Sequence, residues 1–598
     1  MCGIFSIYSK KDIKTNSFIR SLKELEYRGY DSAGVAFFEK DKIKTIKTTL
    51  KIKDLESKLQ DDIKTSLIVG HTRWATHGNP SIKNCHPHHY KNVVVVHNGI
   101  MENYDELKKS NFIKKNKIKS DTDTEILAHL ISYFLTKTGS LAKSVAKVGK
   151  IIKGSNAFLC LDKKDPKLIV AYKNKTPLYF GIKRNGEFLF SSDLNAMKSG
   201  LDRYYFLNDE DLIEISDYKI KCFDKNMKIK KLNMNLYKTQ LLRNKKKSNS
   251  ENSITYEEIN SQKFLIPKMF NAFKIIKDKT KTITNPNEIV IIGCGSSYNA
   301  SLLGKYYFEQ ISSIPTSVFR PSEFTFLKTN NKKILYIFIS QSGETADTCD
   351  LLENNRDYFK NSLSIVNQPE SRLALNTKLF LNLNMGIEKG VASTKTFTGQ
   401  LVYLYLLSII FNSKTDTKLP NKEYFKKNFL KIFSLEDKIK SISKKFYKYK
   451  NCFVLGRNYN YPISLEGALK IKEISYIHAE GLLSPEMKHG PIALIDTNFP
   501  VIYLISNDKD TILKEIINLH ETKSRSNKII LLANSTTIEK LDKKFLDSID
   551  FIEIPNIKEH LLPIFFIIPL QYLSYHVGKL KKISVDQPRN LAKVVTVA

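Results

Sequence analysis

The chain has 598 residues, which is too long for one hydrophobic core and predicts three or four domains. Its 95 basic and 61 acidic residues give a net charge of +34, but the lysines are spread along the whole chain among many asparagines and isoleucines. This pattern indicates compositional bias, so no nucleic-acid partner is expected. Seven scattered cysteines without a C-x-x-C pair exclude a disulfide framework and favour a reducing, cytoplasmic compartment.

Residues 1–220 predict an α+β domain built on antiparallel sheets. Strand-like runs dominate this part, and only the segments near 18–25 and 124–135 have helical periodicity. The predicted strands are 4–8, 34–38, 67–69, 93–97, 157–161, 168–172 and 187–191. Residues 221–260 then become rich in Lys, Asn and Ser, which predicts a linker.

The second half predicts two doubly wound α/β subdomains of similar plan, 280–420 and 442–584, followed by a tail at 585–598. Apolar runs alternate with helical segments there, as in parallel sheets that are covered on both faces. These runs are 288–292, 334–339, 452–455, 501–505 and 528–532.

Two longer apolar segments were considered as membrane spans. Residues 401–411 are too few to cross a bilayer, and residues 561–573 contain Pro563 and Pro569, which are expected to interrupt the segment. We therefore expect a soluble protein without a membrane partner, and the start of the chain shows no signal peptide.

Two serine-rich turns, 293–297 and 340–345, follow successive predicted strands of the first α/β subdomain. Backbone N–H groups at such strand ends and helix N-termini bind phosphate. The hydroxyl groups of these turns belong to Ser296, Ser297, Ser340, Ser342 and Thr345. A sugar-phosphate site is the favoured interpretation, ordinary helix capping is the alternative, and the missing Walker lysine argues against a nucleoside triphosphate.

Cys2 is a candidate nucleophile. If Met1 is removed, Cys2 carries a thiol and a free α-amino group on the same carbon. A thiol with a reference pKa of about 8.5 and an α-amino group that titrates near 8 form a nucleophile with its own base.

Several motifs occur in one order along nearly the full chain. Residues 2–4, 27–34, 71–78 and 97–100 resemble class II glutamine amidotransferases, which are N-terminal nucleophile hydrolases. Residues 465–476, 488–491 and 586–593, with the two serine turns, resemble tandem sugar isomerase domains. Together they resemble the isomerising glutamine:fructose-6-phosphate aminotransferases. The resemblance implies that a homodimer makes glucosamine 6-phosphate and glutamate from fructose 6-phosphate and glutamine, the first step of amino-sugar biosynthesis, with no metal or other cofactor.

For the first domain, the resemblance implies that Cys2 attacks the glutamine amide while Asn98 and Gly99 stabilise the oxyanion. It also implies that Trp74, the only tryptophan, gates an ammonia channel. The implied glutamine-binding residues are Arg73, Thr76, His77 and Asp123.

Each of these residues has a simpler interpretation when taken alone. Arg73 could form a structural ion pair, Asp123 could be the N-cap of a helix that begins near Thr124, and Trp74 could be a core aromatic residue. A metal site is a further possibility by composition, although acidic or second cysteine ligands are missing nearby and the family uses no metal there. Its candidate ligands are Cys85, His86, His88 and His89.

For the second half, the resemblance implies that Lys593 activates the C2 ketone of the sugar. Glu473 is the expected base for the proton transfer between C1 and C2, and His489 the expected group for ring opening. Lys470 lies three residues before Glu473, where it could tune the carboxylate or form an ordinary surface ion pair. The implied sugar-phosphate contacts are Ser296, Ser297, Ser340, Gln341, Ser342, Thr345, Glu388, Val391 and Ala592.

The chain departs from the family pattern in two places. Residues 481–487 lack the usual aromatic and alanines and contain Pro485, and residues 258–263 lack the usual proline. Coupling between the domains is what these departures would affect. Two functions from other classes stay open, a sugar-phosphate sensor that has kept the fold as a binding module, and a basic protein associated with nucleic acid.

Overall fold

The computed structural model describes residues 2–59, 63–75, 77–113, 118–237, 253–283, 285–326, 333–412 and 418–595. The chain forms two compact units. The first comprises Met1–Ser248 with Val594–Ala598, and the second comprises Asn249–Lys593.

The first unit contains two antiparallel sheets. Its strands are β1 (Gly3–Tyr8), β2 (Ser32–Glu39), β3 (Lys42–Thr48), β4 (Leu67–Arg73), β5 (His88–Tyr90), β6 (Val93–Gly99), β7 (Asn156–Asp162), β8 (Asp165–Asn174), β9 (Tyr179–Lys183), β10 (Phe188–Ser191), β11 (Leu201–Phe206), β12 (Asp211–Ser216), β13 (Lys219–Phe223) and β14 (Asn235–Leu236). Eight strands lie in the order β14-β11-β9-β10-β1-β4-β2-β3, and six in the order β13-β12-β8-β7-β6-β5. The helices are α1 (Thr15–Lys23), α2 (Ile52–Lys58), α3 (Tyr104–Lys109), α4 (Asp123–Thr138) and α5 (Leu141–Gly149).

Alternation along β1 explains the layers of this unit. Ile4 and Tyr8 point to one face of the sheet and share a core with Val94 of the second sheet. Phe5 lies on the opposite face and packs against Phe18 of α1. Helices α4 and α5 cover the outer face of the second sheet in the same way. The two sheets are therefore sandwiched between helices, which confirms the predicted α+β class.

The second unit contains two parallel five-stranded sheets. Its strands are β15 (Glu288–Gly293), β16 (Thr316–Phe319), β17 (Ile334–Ser340), β18 (Ser362–Val366), β19 (Leu379–Asn382), β20 (Asn451–Gly456), β21 (His478–Leu483), β22 (Val501–Ile505), β23 (Ile529–Asn534) and β24 (Asp550–Ile554). The sheet orders are β16-β15-β17-β18-β19 and β21-β20-β22-β23-β24, so the two sheets share one plan.

Helices surround these sheets and fill the space between them. They are α6 (Ile254–Met269), α7 (Phe273–Thr280), α8 (Ser296–Tyr307), α9 (Ala346–Asn354), α10 (Arg372–Asn376), α11 (Lys395–Ile410), α12 (Lys422–Phe433), α13 (Glu436–Phe446), α14 (Tyr461–Ser475), α15 (Ile512–Lys523), α16 (Ser535–Ile538), α17 (Lys543–Asp547) and α18 (Leu562–Leu580). Along β15, Ile289 and Ile291 belong to the core that both sheets share, whereas Val290 and Ile292 belong to a core on the other face. Both faces are covered, which confirms the two α/β subdomains.

Helix α18 corrects one expectation, because the two prolines do not interrupt it. Pro563 lies in the first turn, where its missing N–H costs no helical hydrogen bond, and Pro569 lies inside the helix. The segment Glu559–Leu580 is long and apolar enough to cross a membrane by length and composition, and its most apolar stretch is completely buried within the unit. One such helix is weak evidence for a membrane span, because core helices have the same composition.

Two further segments have defined local structure. Residues 221–260, predicted as a linker, include the end of β13, the short edge strand β14 and the start of α6, and residues 238–252 lie outside the described part. The departing segment 481–487 covers the end of β21 and most of the 3₁₀ segment Ser484–Lys488, whose second residue is Pro485. The Ser484 hydroxyl donates to both carboxylate oxygens of Glu515, at 2.7 and 2.6 Å.

Candidate active sites

Cys2 lies at the start of β1, beside the end of β4. Gly3 pairs with Thr72, and the chain after β4 therefore passes the thiol. The Trp74 N–H donates to Cys2 Sγ at 3.3 Å, and the thiol donates to Trp74 O at 3.5 Å. Burial raises the pKa of the Cys2 thiol. The thiol is therefore protonated at neutral pH and needs a base before it can act as a nucleophile.

A small cavity opens beside the thiol. It brings together most of the residues predicted for glutamine binding and catalysis, while Thr76 lies outside the described residues. Four lining residues, at positions 86, 97, 122 and 124, were not predicted as part of this site, although two of them flank Asp123 and one precedes Asn98. The lining consists of Cys2, Arg73, Trp74, His77, His86, His97, Gly99, Thr122, Asp123 and Thr124.

Arg73 offers an unused donor to this cavity. Its Nη2 donates to the carbonyl oxygens of His77 and Gly78, and its Nη1 is buried without a hydrogen-bond partner among the described residues. Arg73 forms no ion pair with a carboxylate in the described part of the chain, so the structural ion-pair interpretation is wrong. An unpaired guanidinium nitrogen at a cavity wall fits a ligand carboxylate.

Asp123 is the first residue of α4, and the N-cap position belongs to Thr122. The N-cap interpretation of Asp123 is therefore wrong. Its Oδ2 accepts the Met101 N–H at 3.1 Å, which ties the segment after β6 to the start of α4. Asp123 is 5 % exposed and lines the cavity, where a carboxylate fits a ligand ammonium group.

His97 is held in one tautomer by its neighbours. The Asn156 amide nitrogen donates to Gly154 O, so its Oδ1 accepts, and His97 Nε2 at 3.0 Å is the donor. His97 Nδ1 then accepts from the Thr124 hydroxyl at 3.0 Å. Burial lowers the pKa of His97, which keeps the ring neutral. The ring therefore fixes Thr124 beside Asp123 through a neutral hydrogen-bond chain.

The histidines considered as metal ligands are involved in other contacts. His86 Nδ1 lies 2.9 Å from His71 Nε2, and His88 Nε2 lies 3.0 Å from Thr122 Oγ1. Burial lowers the pKa of His88 to about 3. No group of three or more His, Cys, Asp or Glu within the described ranges is arranged to hold a metal ion.

Asn98 and Gly99 end β6 next to Cys2. The Asn98 amide donates to Cys2 O at 3.0 Å. Gly99 has a φ of +138°, and a Cβ there would lie 1.9 Å from Ser155 O. A side chain is therefore excluded at position 99, and Gly99 itself lines the cavity.

The two serine turns meet at one edge of the first parallel sheet. Residues 293 and 339 are paired at the ends of β15 and β17, so both turns leave from the same carboxyl edge. The Ser340 hydroxyl accepts the Gly343 N–H at 3.0 Å and the Ser342 hydroxyl accepts the Glu344 N–H at 3.1 Å, so both shape the second turn. Gly343 has a φ of +67°, and a Cβ would lie 2.0 Å from a serine hydroxyl.

Helix capping does not account for the other hydroxyls of these turns. Thr345 is the N-cap of α9 but makes no side-chain capping bond, and Ser296 begins α8 without one. Ser297 accepts from the Gln400 amide at 3.1 Å. Gln341 is half-buried beside them. Thr345 Oγ1 instead lies 3.1 Å from Ser340 Oγ, and Ser296 Oγ accepts from Lys470. The hydroxyls therefore lie at two adjacent helix N-termini, a place where proteins bind phosphate.

Lys470 of helix α14 links the first serine turn to Glu473 through hydrogen bonds. Lys470 Nζ donates to Glu473 Oε2 at 2.5 Å and to Ser296 Oγ at 3.2 Å. The Lys470 side chain is 1 % exposed, so the surface ion-pair interpretation is wrong. Burial lowers the pKa of Lys470, but Glu473 and the fully buried Glu466, whose Oε1 lies 3.4 Å away, outweigh this and raise it. Glu466 was missed as a site residue, although it lies one helical turn before Lys470.

The tail places Lys593 against Glu388. Lys593 Nζ donates to Glu388 Oε2 at 2.5 Å, and both side chains are buried. Burial would raise the pKa of Glu388, but the Lys593 ammonium outweighs it and lowers this pKa to about 2. The Thr396 hydroxyl also donates to Glu388, at 2.6 Å. Val391 is buried nearby in sequence and Ala592 is half-buried.

The structure does not bring His489 into this cluster. His489 is exposed directly after the 3₁₀ turn, and its backbone N–H donates to Glu486 O at 3.0 Å. Within the described residues, its side chain has no hydrogen bond or ion pair with Glu473 or Lys593.

A cysteine at the start of a helix-covered antiparallel sandwich, and serine turns with a buried lysine on paired parallel sheets, define a glutamine amidotransferase joined to a sugar-phosphate isomerase unit. A model of the glutamine amidotransferase domain family matches residues 75–199, and one of the SIS domain family matches residues 282–410 and 445–578.

Full-length relatives identify the particular family within this class of proteins. The chain is 37 % identical over 621 residues to the glutamine–fructose-6-phosphate aminotransferase (isomerizing) of Wigglesworthia glossinidia brevipalpis and 38 % identical over 640 residues to that of Buchnera aphidicola, covering 100 % of each chain. The C-terminal domain of glucosamine-fructose-6-phosphate aminotransferase from Francisella tularensis is 34 % identical, with a TM-score of 0.52, and covers 57 % of this chain and 99 % of that chain. The chain belongs to the family of isomerizing glutamine–fructose-6-phosphate aminotransferases.

Proposed function

We propose that the two units carry the two half-reactions of this family. The first takes ammonia from glutamine and leaves glutamate, and the second converts fructose 6-phosphate into glucosamine 6-phosphate. The observation that supports this most directly is the cavity in which Cys2, Arg73 and Asp123 meet. The test is to incubate the purified full chain with both substrates and measure both products. Sugar-phosphate binding without product would instead favour a sensor.

In the first half-reaction, removal of Met1 leaves Cys2 with a free α-amino group, and this group takes the thiol proton. The thiolate then attacks the glutamine amide carbon, and the Gly99 N–H and the Asn98 amide stabilise the negative oxygen. Arg73 holds the substrate carboxylate and Asp123 its ammonium, while His77 and Thr76 complete the binding site. Collapse of the tetrahedral intermediate transfers the proton to the leaving ammonia, and water releases glutamate from the thioester.

In the second half-reaction, the turn hydroxyls and helix N-termini hold the phosphate while His489 opens the sugar ring. The neutral Lys593 amine attacks the C2 ketone, and loss of water gives a Schiff base. Ammonia displaces the lysine from C2, and Glu473 moves a proton from C1 to C2. The Lys593 ammonium must lose a proton before it attacks, and its ion pair with Glu388 holds the amine in place until then. Lys470 holds Glu473 in place.

The compartment, the oligomeric state and the domain bounds are part of the same proposal. We expect a cytoplasmic homodimer without nucleic acid, with domains at 1–220, 280–420 and 442–584. Seven free cysteines support a reducing compartment. Light scattering gives the oligomeric state, and salt dependence of binding tests the nucleic-acid alternative.

Replacing Trp74 by alanine is expected to separate glutamine hydrolysis from ammonia transfer. The half-buried Trp74 side chain lies at the cavity wall and packs edge-on against Tyr30, with ring centroids 5.6 Å apart. If Trp74 gates the ammonia path, its loss leaves hydrolysis measurable but lets ammonia escape. The ratio of glutamate to glucosamine 6-phosphate should rise above one. Trp74→Phe, which keeps an aromatic ring, is the control, and an alanine variant whose ratio stays near one would show an ordinary core aromatic.

A double substitution, Ser342→Ala with Thr345→Ala, is expected to raise the KM for fructose 6-phosphate much more than the KM for glutamine. A hydrogen bond to a charged group contributes about 1.5 to 3 kcal/mol, so the sugar KM should rise at least about 10-fold. Ser443→Ala is a matched control, because it removes a buried hydroxyl that bonds only within α13, to Ile439 O. Unchanged sugar affinity in the double variant would mean that these hydroxyls only shape the turn.

A further inference from the structure

The first turn of α6 holds the C-terminal tail. Asp586 accepts hydrogen bonds from the backbone N–H groups of Ile254, at 3.0 Å, and Thr255, at 2.7 Å. The Thr255 hydroxyl also donates to Asp586, at 2.7 Å. A carboxylate at a helix N-terminus is stabilised by free N–H groups and by the helix dipole. The tail that carries Lys593 is therefore fastened to α6.

The same helix also holds the segment that carries Glu388. One turn after Thr255, Glu258 Oε1 accepts the Lys389 N–H at 2.5 Å and the Gly390 N–H at 3.3 Å, and Oε2 accepts the Gly390 N–H at 3.2 Å. Glu258 is 6 % exposed. The N–H groups of the two residues that directly follow Glu388 thus both donate to one side chain.

The packing around this contact leaves little room for displacement. A Cβ on Gly390 would lie 2.8 Å from Glu258 Oε2 and 2.9 Å from Thr255 Oγ1. The Val391 N–H donates to Asp586 O at 3.1 Å, which joins the two held segments directly. The loop bearing Glu388 and the tail bearing Lys593 are therefore clamped against each other at the start of α6.

We propose that Glu258 is a positioning residue for Lys593, acting by holding the Lys389–Gly390 backbone so that Glu388 meets the lysine. This rests on the role assigned to Lys593 in the proposed function. Glu258 acts through its acceptor oxygens, and it does not contact the substrate.

The charges in the cluster agree with an acceptor role. Burial, with the neighbouring Glu388 carboxylate, raises the pKa of Glu258 to about 7, and the amines of Lys593 and Lys395 oppose this rise. The Lys395 Nζ donates to Ile387 O at 2.7 Å and is not hydrogen-bonded to Glu258. Lys593 is already paired with Glu388. A protonated Glu258 still accepts through its carbonyl oxygen, so its positioning action does not require a charge.

The experiment compares Glu258→Ala with Glu258→Gln. Glutamine keeps one carbonyl oxygen in the place of Oε1, which accepts both N–H groups, whereas alanine removes the acceptor. Glu258→Ala should lower kcat for glucosamine 6-phosphate by about 10- to 100-fold, as expected for misplaced reacting groups, and change the fructose 6-phosphate KM by less than about 3-fold. Glu258→Gln should stay within about 3-fold of the parent. Glu257→Ala, which alters the adjacent exposed carboxylate on α6, is the matched control.

A second variant addresses the same contact from the other side. Gly390→Ala should displace the Glu258 carboxylate and lower kcat in the same way, with the backbone N–H groups retained. If Glu258→Ala fails to fold in a thermal melt, Gly390→Ala and Glu258→Gln decide the question. Sugar-independent glutaminase activity should not change in any of these variants, because the glutaminase site belongs to the first unit.

The outcomes separate this inference from the proposed function. If the parent chain makes no glucosamine 6-phosphate, the proposed function fails. If the parent is active but folded Glu258→Ala keeps its kcat, or Glu258→Gln loses as much as alanine, or only the sugar KM changes, the positioning role is wrong.

Discussion

Replacing Cys2 by alanine is expected to abolish glutamine use, by a factor of at least about 10⁴, while fructose 6-phosphate binding is unchanged. Without the thiol no thioester forms, and the oxyanion donors have no tetrahedral intermediate to stabilise. The serine turns belong to the other compact unit, which keeps its own core. Glutamate release reports the first effect, and titration of the protein with fructose 6-phosphate reports the second.

Two matched variants sharpen this test. Cys2→Ser keeps the shape but replaces the thiol with a far less acidic hydroxyl, and it should be as inactive as alanine. Retention of Met1 should have the same effect with the cysteine intact, because the amide nitrogen of a Met-Cys bond cannot act as a base. Full glutaminase activity in a form whose mass includes Met1 would refute the mechanism in which the α-amino group is the base.

Replacing Lys593 by alanine is expected to eliminate glucosamine 6-phosphate while slow, sugar-independent glutaminase activity survives. The substitution removes the amine that activates the ketone. It also leaves Glu388 buried without its cation, and breaking such a pair typically costs about 3 to 5 kcal/mol. A lower melting temperature is therefore expected together with the lost activity. Separate measurements of glutamate and glucosamine 6-phosphate distinguish this variant from Trp74→Ala, in which both products persist in an altered ratio.

Lys593→Arg separates the charge of this residue from its chemistry. Arginine can keep the ion pair with Glu388, but a guanidinium is not deprotonated in a protein and cannot form the Schiff base. This variant should keep more stability than alanine and still make no product. Substantial product from the arginine variant would mean that a positive charge is sufficient and that the covalent role of Lys593 is wrong.

Much of the fold could be predicted from local pattern. β15 after its first residue and β17 before its last residue are apolar throughout, so burial on both faces could be predicted from the sequence alone. β3 was missed because it is an edge strand in which lysines alternate with isoleucines, and only pairing with β2 makes it a strand. Pro569 does not interrupt α18, because packing of a completely buried helix outweighs the local cost of one proline.

Among the residues of the candidate sites, too, some could be predicted from the sequence and others could not. Cys2 and Lys593 follow from position and motif, because a thiol beside an α-amino group and a lysine in a family-like tail are properties of short segments. Glu258 could not be found in this manner, since it lies in a segment whose composition predicted a linker. Its partner Lys389 is 131 residues away, and no periodicity relates the two.

The sequence by itself determined the two architectures and their order and supplied candidates for the reacting groups, because alternation of apolar residues and short motifs are local properties. Only the tertiary structure decided which groups meet. Lys593 finds Glu388 across 205 residues, and Lys470 reaches Ser296 across 174. Their burial then requires ion pairing, since a carboxylate and an ammonium that are withdrawn from water must each have a partner of opposite charge. These contacts depend on how strands and helices pack in three dimensions, which no segment encodes alone.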